Sequence, residues 1–352
     1  MDRSPELDFD VPVIDIDAVV RGGPSQDVAA VVEAVDDACR RVGFIQIRGH
    51  GIPETVTRGL ADAMDALFGL PIEVKKTWRV AGANRGYSPP ASESLSLSLG
   101  VAAASGMNDF FEAYNVGVEA ASFPDLGLSE SDYGTNLWPD VDGFRPQVES
   151  YFDEASRVAR TLTGIFAAAL GVSEDFFPSI TDHSIDVLRM NNYALPEGTV
   201  TLDGDLTGMG EHTDFGIVTV LWADQVAGLQ VLGSDRRWHD VTPVDDALLV
   251  NLGDLTARLT GDRWMSTLHR VKPPIVDGTI VRRRSAAFFH DGNPDAVVGT
   301  LPGWEGHARM PYESITVRDH IAAKLAGSRE GTSNARAVRE ADRVRAAARP
   351  AG

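Results

Sequence analysis

The sequence predicts an α+β protein in which helices precede a jelly-roll core of short antiparallel strands. Long amphipathic segments are concentrated before residue 184, and short β-rich segments follow at roughly ten-residue spacing after residue 185. No fixed-period repeat interrupts this order. Because helices and strands are segregated along the chain, an alternating α/β fold is excluded, and many short strands favour a sandwich or jelly roll.

The N-terminal half contains the predicted helices. Positions 11–16 are rich in β-branched residues and predict a first strand. A long amphipathic helix is expected over 145–170, because apolar residues recur every three or four positions and Gly171 follows. The other predicted elements are a helix over 26–41 capped by Ser25, a strand over 44–48 and a helix over 54–68.

The stretch 81–106 has a different composition from its surroundings. It combines Gly82, Gly86, Pro89 and Pro90 with a run of alternating serines over 92–98. Such a stretch predicts a long surface loop. Whether that loop acts as a lid or is an ordinary solvated loop stays open at this level.

The C-terminal half supplies the core. A helix is expected over 314–325. We expect one single domain over 1–326, with a helical part over about 1–184, the jelly-roll core over about 185–300 and the last helix over about 314–326, followed by a peripheral tail over 327–352. The predicted strands cover 187–193, 217–223, 229–232, 238–242, 247–252, 265–271 and 283–289.

Composition limits the classes of partner. The chain has 352 residues, 43% of them hydrophobic, and a net charge of −19, so nucleic acid and anionic membrane surfaces are not expected partners. No apolar run reaches the roughly 18 residues of a membrane span, and no signal peptide is expected. A single cysteine, Cys39, fits a reducing compartment. We therefore expect a cytoplasmic protein, a monomer or weak homo-oligomer.

His212 and Asp214 form a His-x-Asp pair at the entrance of a predicted strand, where residues two apart share a face. His269 lies in a second predicted strand. Two histidines and one carboxylate suit Fe(II) with open coordination positions, although zinc could use the same residues. The commonest zinc alternatives are absent, because the chain has no HExxH motif and no paired cysteines.

Two further polar pairs lie on predicted strands. Arg283 and Ser285 share one face of a strand whose following residues are apolar, and together they offer a forked guanidinium and a hydroxyl to a carboxylate. Asn191 and Tyr193 share a face in the same way and offer neutral hydrogen bonds. An alternative for Arg283 is a protein carboxylate or solvent.

The order of these motifs resembles the isopenicillin N synthase-like family of Fe(II)- and 2-oxoglutarate-dependent dioxygenases. The resemblance covers about 11–325. It rests on Asn-x-Tyr at 191–193, His-Thr-Asp-Phe-Gly at 212–216, Gly-Leu-Gln-Val at 228–231, Asn-x-Gly-Asp at 251–254, Ser-Thr-x-His-Arg-Val at 266–271 and Arg-x-Ser-x-x-Phe-Phe at 283–289, with Val-Pro-Val-Ile-Asp at 11–15 and Arg-Gly-Tyr at 85–87 in the N-terminal half.

The resemblance implies a double-stranded β-helix core, which is a form of jelly roll, with flanking N-terminal helices. It implies Fe(II) at His212, Asp214 and His269. It further implies 2-oxoglutarate at Arg283 and Ser285 with Asn191 and Tyr193 nearby, O2 as cosubstrate and ascorbate as a stimulant. The expected outcome is oxidation of a C–H bond by hydroxylation, desaturation or ring chemistry.

Substrate contacts are less well defined by the sequence. Arg85, Tyr87 and Phe289 are the candidates, because substrate pockets of the family draw on the matching segments. Two alternatives to the main interpretation stay open: an isopenicillin N synthase-type oxidase that needs no 2-oxoglutarate, in which Arg283 and Ser285 hold the substrate's own carboxylate, and a non-catalytic sensor of the same fold.

Overall fold

The computed structural model describes residues 9–80, 84–90, 92–93, 98–99, 111–194, 208–272, 275–276, 279–305 and 312–330. The helices in these ranges are α1 (Asp17–Val20), α2 (Ser25–Arg41), α3 (Glu54–Phe68), α4 (Ile72–Lys75), α5 (Glu130–Tyr133), α6 (Phe144–Leu170), α7 (Phe176–Thr181), α8 (Asp254–Leu259) and α9 (Val317–Glu330).

The strands fall mostly in the second half of the chain, as predicted. They are β1 (Val13–Asp15), β2 (Phe44–Arg48), β3 (Gly86–Ser88), β4 (Glu112–Gly117), β5 (Val187–Tyr193), β6 (Met209–His212), β7 (Val218–Ala223), β8 (Leu229–Leu232), β9 (Trp238–Asp240), β10 (Leu248–Leu252), β11 (His269–Val271), β12 (Ile275–Val276), β13 (Thr279–Ile280), β14 (Arg283–His290), β15 (Val297–Val298) and β16 (Ile315–Thr316).

Two sheets build the core. The larger has eight strands in the order β1-β2-β10-β7-β14-β5-β4-β3, and the smaller has four in the order β6-β11-β8-β9. Apart from the parallel pair β1–β2, neighbouring strands in both sheets are antiparallel. Side chains from both sheets line one cavity between them. The predicted α+β class with a jelly-roll core is confirmed.

Three helices cover the outer face of the large sheet. The long helix α6 contacts α2 and α3 on its sides and β7 and β14 beneath it. Its apolar stripe is fully buried, since Val148, Ala155, Val158 and Leu162 have no exposed surface. At roughly 25 cal/mol per Å² of apolar surface, this burial is the main source of stability for the helical layer. The helices thereby fix the sheet that carries the cavity-lining side chains.

The long predicted elements have nearly the observed bounds, and the differences lie at their ends. Helix α2 begins at Ser25 itself, and its N-cap position is Pro24 without a side-chain cap, so the predicted capping by Ser25 is wrong. A proline there already supplies the extended backbone that precedes a helix. The predicted strand over 265–271 is shortened to β11, because residues 265–268 adopt no regular secondary structure.

The end of the chain also differs from its prediction. Helix α9 begins at Val317 and continues to Glu330, so the expected boundary at 326 falls inside a helix. Most of the predicted loop over 81–106 and the tail beyond 330 lie outside the described residues. Within the part of the chain that the structure describes, no helix has the length and hydropathy needed to cross a bilayer.

Candidate active site

His212, Asp214 and His269 form a compact group at one end of the cavity. One ligand atom from each lies within 4.8 Å of the other two, and all three residues are buried. Oδ1 of Asp214 is 3.8 Å from Nε2 of His212 and 3.7 Å from Nε2 of His269. The structure thus brings together the three residues that the sequence singled out, with three donor atoms facing one point.

Backbone contacts orient both imidazoles. His212 and His269 lie opposite each other on β6 and β11. Nδ1 of His212 is 2.8 Å from the carbonyl oxygen of Gly210, and Nδ1 of His269 is 3.1 Å from that of Thr267. Since a carbonyl only accepts, each Nδ1 carries the proton and each Nε2 keeps its lone pair for a metal. Burial and the neighbouring His269 imidazole lower the pKa of His212 to about 3, which keeps it in the neutral, ligating form.

The carboxylate is oriented by two neutral donors. Oδ2 of Asp214 accepts a hydrogen bond of 2.5 Å from Oγ1 of Thr219 and one of 2.6 Å from Nδ2 of Asn251. These bonds leave Oδ1 to face the histidines. Asp214 itself lies just beyond the end of β6, so the expectation that His212 and Asp214 share one strand face is wrong, and only His212 lies on a strand.

Close backbone packing explains the two glycines of the surrounding motifs. A β-carbon at Gly216 would lie 2.0 Å from Oδ1 of Asp291, and one at Gly253 would lie 2.0 Å from the carbonyl oxygen of Gly216. The backbone N–H of Asp254 donates to the carbonyl of Asp214 at 2.8 Å. The absence of side chains at both glycines therefore lets α8 pack directly against the Asp214 loop.

Arg283 presents an unneutralised charge to the same cavity. Its residue surface is only 2% exposed. Nε donates to the carbonyl of Val226 at 3.2 Å, and the guanidinium lies 5.2 Å from the centroid of the Tyr193 ring. Within the described ranges its Nη1 has no hydrogen-bond partner, and no carboxylate pairs with it. A buried guanidinium in this state requires an anion, so the site fits the carboxylate of a small dianion.

The register of β14 against β5 places the other predicted cosubstrate residues beside Arg283. Arg283 lies opposite Tyr193, and Ser285 lies opposite Asn191. All four side chains line the cavity. The Oδ1 of Asn191 accepts from Nε of Arg189 at 3.1 Å, so its amide is already engaged on one side.

Of the three predicted substrate contacts, only Phe289 lines the cavity. The side chain of Tyr87 donates to Oε2 of Glu112 at 2.5 Å, away from the cavity. Arg85 donates to the carbonyls of Tyr133 and Val118, the latter at 3.0 Å. Both residues connect segments of the N-terminal half, and the geometry gives their assignment as substrate contacts no support.

A polar cluster at the side of the cavity was not predicted from the sequence. Arg189, Glu93, Asn115 and Asn84 all line this part of the cavity. Arg189 precedes Asn191 by two residues, so the alternation of the predicted strand could have placed it on the same face. Glu93 lies in the serine-rich stretch, and Asn115 lies on β4, which was not predicted; neither carries a local signal.

A second unpredicted feature connects the last helix to the site. Nζ of Lys324 is 2.6 Å from Oδ2 of Asp254, and both side chains are almost fully buried. Oδ1 of Asp254 accepts from Oγ of Ser266 at 2.7 Å. Helix α9 is therefore part of the cavity wall and is fastened to the turn beside Asp214. Its cavity-lining residues are Ile321, Leu325 and Ser328.

Two family matches cover most of the chain. Residues 11–141 match the family described as the non-haem dioxygenase in morphine synthesis N-terminal domain, and residues 185–292 match the 2OG-Fe(II) oxygenase superfamily. The second match contains His212, Asp214, His269 and Arg283.

Curated relatives and solved structures agree with these matches. The chain is 34% identical to the 2-oxoglutarate-Fe(II) type oxidoreductase hxnY of Emericella nidulans over 303 residues, which cover 83% of each chain. It is 32% identical to the 2-oxoglutarate-dependent dioxygenase thnC of Trichoderma harzianum over 294 residues, 82% of this chain and 86% of the relative. The crystal structure of a full-length Neurospora crassa protein in complex with α-KG and thymine superposes with a TM-score of 0.76 at 27% identity, covering 90% of this chain and 96% of that one.

Proposed function

Since the chain belongs to the 2OG-Fe(II) oxygenase superfamily, we propose that His212, Asp214 and His269 bind its Fe(II) and that Arg283 and Ser285 bind its 2-oxoglutarate. The protein is an Fe(II)- and 2-oxoglutarate-dependent dioxygenase that oxidises a C–H bond of a small molecule. What the proposal adds is the assignment of each role to a residue of this chain.

The observation that carries the proposal is the arrangement of complementary groups in one cavity. Two histidines and one carboxylate face one point, and a buried guanidinium with an unpartnered Nη1 lines the same space within the described ranges. Bound Fe(II) and 2-oxoglutarate supply the oxidising power through decarboxylation of 2-oxoglutarate to succinate with O2. The two ends of a dianion, one near the metal ligands and one at Arg283, match this charge pattern.

The residues of the chain orient and shield these groups. The carbonyls of Gly210 and Thr267 hold the two imidazoles with Nε2 inward, and Thr219 with Asn251 holds Asp214. An apolar cavity wall excludes water and thereby strengthens the attraction between Arg283 and a carboxylate. The wall is largely apolar and includes Phe44, Leu229 and Phe289.

We also propose that Asn191 and Tyr193 complete the cosubstrate site. Tyr193 lies directly opposite Arg283 in the β5–β14 register, and its ring lies against the guanidinium. Asn191 lies opposite Ser285. The contribution of Tyr193 is to keep the Arg283 fork in one orientation, because a guanidinium stacked on a ring loses fewer rotamers when it binds.

A stoichiometric assay tests this proposal. The wild-type protein is supplied with Fe(II), ascorbate and isotopically labelled 2-oxoglutarate, and succinate and O2 consumption are measured together. We expect slow succinate formation even without primary substrate, at about one succinate per O2. Oxidation of a substrate at full rate without 2-oxoglutarate would instead favour an oxidase in which Arg283 binds the substrate. Iron binding without any O2 consumption would favour a sensor.

A further inference from the structure

A buried ion pair marks the side of the cavity away from Arg283. Nη2 of Arg189 lies 2.9 Å from Oε2 of Glu93, with 9% and 6% of the two side chains exposed. Nε of Arg189 donates to Asn191, and its Nη1 makes a longer contact of 3.5 Å with Oδ1 of Asn115. Nδ2 of Asn115 donates in turn to Oδ1 of Asn84 at 2.9 Å. We name the group of Arg189, Glu93, Asn115 and Asn84 the polar wall.

The polar wall adjoins the cosubstrate end of the cavity through Asn191 but lies further along the sheet than Arg283. Arg283 lies opposite Tyr193, whereas Arg189 lies opposite Ala287, four residues further along both strands. At roughly 3.3 Å per residue this places the two arginine backbones about 13 Å apart along the sheet. The side chains that line the cavity between the two arginines, those of Ser285 and Ala287, are small and leave space there. A molecule bound at Arg283 therefore leaves Arg189 for a second ligand.

The four residues of the polar wall carry no net charge. Glu93 neutralises Arg189, and both are removed from water. An additional carboxylate would therefore meet the Glu93 carboxylate, and the four residues of the polar wall hold no second cation to offset it. Hydrogen-bonding capacity nevertheless remains. A guanidinium has five N–H groups, and three of those in Arg189 have an acceptor within the described ranges. The remaining donors suit an uncharged acceptor such as a carbonyl oxygen.

Apolar side chains also line this end of the cavity. One face of the Arg189 guanidinium lies over the ring of Phe111, 5.1 Å from its centroid, so Phe111 covers that face. A ligand of this site thus has an apolar body and one polar edge. The apolar side chains of Val187 and Phe289, two residues further along β5 and β14, line the cavity beside Arg189.

We propose that the polar wall is the recognition subsite for the primary substrate, and that it selects an uncharged, carbonyl-bearing molecule over the corresponding carboxylate. The inference rests on the proposed function, because it places the substrate opposite the 2-oxoglutarate site. Glu93 is the specificity-determining residue: it occupies the arginine that would otherwise bind an anion. Arg189 donates to the carbonyl, and Asn115 holds the guanidinium in place.

Matched ligand pairs test the proposal. A set of aromatic and aliphatic carboxylic acids and their primary amides is titrated, without oxygen, into protein loaded with Fe(II) and 2-oxoglutarate, and dissociation constants are measured by ligand-observed NMR. The wild type should bind the preferred amide at least about tenfold more tightly than its acid, since the like charge of Glu93 opposes the acid. The Glu93→Gln variant should shift this ratio by about tenfold or more toward the acid.

Two further variants keep the test decisive. Glu112→Gln removes another buried carboxylate, one that pairs with Lys75 and does not line the cavity, and it should leave the amide-to-acid ratio unchanged. Arg189→Lys retains the charge but not the fork, so it should weaken amide binding about tenfold. If Glu93→Gln does not fold, Arg189→Lys decides the outcome.

Three results would overturn the subsite: acids bound more tightly than amides by the wild type, a ratio that Glu93→Gln leaves unchanged, or no amide bound at all. The proposed function is judged separately by iron content and succinate formation of the wild type. A protein that forms succinate but shows no preference for amides refutes only the subsite. A protein without iron or succinate refutes the proposed function.

Discussion

His212 and His269 lie directly opposite each other on β6 and β11, with their ring centroids 4.1 Å apart. They are far apart in the sequence, and only the antiparallel pairing of two short strands brings them together. Both present Nε2 to Oδ1 of Asp214. The pairing of these strands thus brings two of the three donor residues together.

We expect His212→Ala and His269→Ala each to lose most of the bound iron while remaining folded, because an open site with three protein ligands has little redundancy. Iron content by elemental analysis and folding by circular dichroism check this. His239→Ala is the matched control, since His239 lies at the surface beside Asp235. Full iron occupancy in both site variants would show that the metal binds elsewhere.

The hydrogen bonds to Oδ2 of Asp214 should tune metal affinity. We expect Thr219→Val to weaken Fe(II) binding about 10- to 100-fold, because the carboxylate then loses one of its two fixed donors. Thr57→Val serves as the control, since the Thr57 hydroxyl bonds only within α3, at an exposed position. Equal Fe(II) dissociation constants for the two variants would mean that Thr219 does not orient the ligand.

Lys324 should be essential to the packing of α9. We expect Lys324→Met to lower the free energy of unfolding by about 3–5 kcal/mol, because it leaves the buried Asp254 carboxylate without its cation. Lys76→Met, which breaks an exposed pair with Glu73, should cost no more than about 0.5 kcal/mol. Urea denaturation measures both. Similar small losses would argue that the Lys324–Asp254 pair stabilises nothing.

The stability of the fold should depend on pH through His320. Burial lowers the pKa of His320 from 6.5 to about 4, so between these values the unfolded chain binds a proton that the folded chain does not. The free energy of unfolding should therefore fall as the pH drops from about 6.5 to about 4, by up to about 1.4 kcal/mol per pH unit from this group. At pH values well above the ordinary pKa, His320 contributes no dependence.

The variant His320→Leu isolates that contribution. Denaturation of wild type and variant at about pH 7.5, 6 and 5 should give a difference that changes between the two lower values, since the variant lacks the titrating group. Parallel pH profiles for the two proteins would contradict the assignment of a buried, neutral imidazole.

The sequence predicts some strands and site residues closely and other contacts not at all. The alternation in β5 and β14 predicts both strands nearly to the residue and the inward face of Arg283, Ser285, Asn191 and Tyr193. The three proposed iron ligands follow from residue type, spacing and family resemblance. Local pattern suffices for the four residues on β5 and β14 because each residue's direction is set by its own strand.

Tertiary contacts explain what the sequence does not predict. Glu93 reaches Arg189 across 96 positions, and Lys324 reaches Asp254 from a helix whose limits were misplaced. Neither contact has a local periodicity. The Arg-Gly-Tyr motif at 85–87 was expected to contact the substrate, yet its arginine bonds to a backbone carbonyl and its tyrosine to a buried carboxylate. No local motif in the sequence predicts these hydrogen-bond partners.

Substitutions at Arg283 and Ser285 should weaken 2-oxoglutarate binding to different extents. Ser285→Ala should weaken 2-oxoglutarate binding by about 1 kcal/mol or somewhat more, because the hydroxyl contributes one hydrogen bond to a charged acceptor. Arg283→Lys should have an effect between those of Ser285→Ala and loss of the charge, since a point charge cannot reproduce the guanidinium fork. Dissociation constants for 2-oxoglutarate in the presence of Fe(II), without oxygen, rank the variants. Equal effects of both changes would contradict this order.

The most direct test of the account is the affinity of the Arg283→Met variant for 2-oxoglutarate, measured beside Arg284→Met. Arg284 lies next to Arg283 on β14 but faces away from the cavity, where it pairs with Asp65 and Asp224. We predict that Arg283→Met weakens 2-oxoglutarate binding by about 2–5 kcal/mol, or roughly 30- to several-thousand-fold, while Arg284→Met changes it by less than about threefold. Unchanged affinity in Arg283→Met would contradict the proposed cosubstrate site.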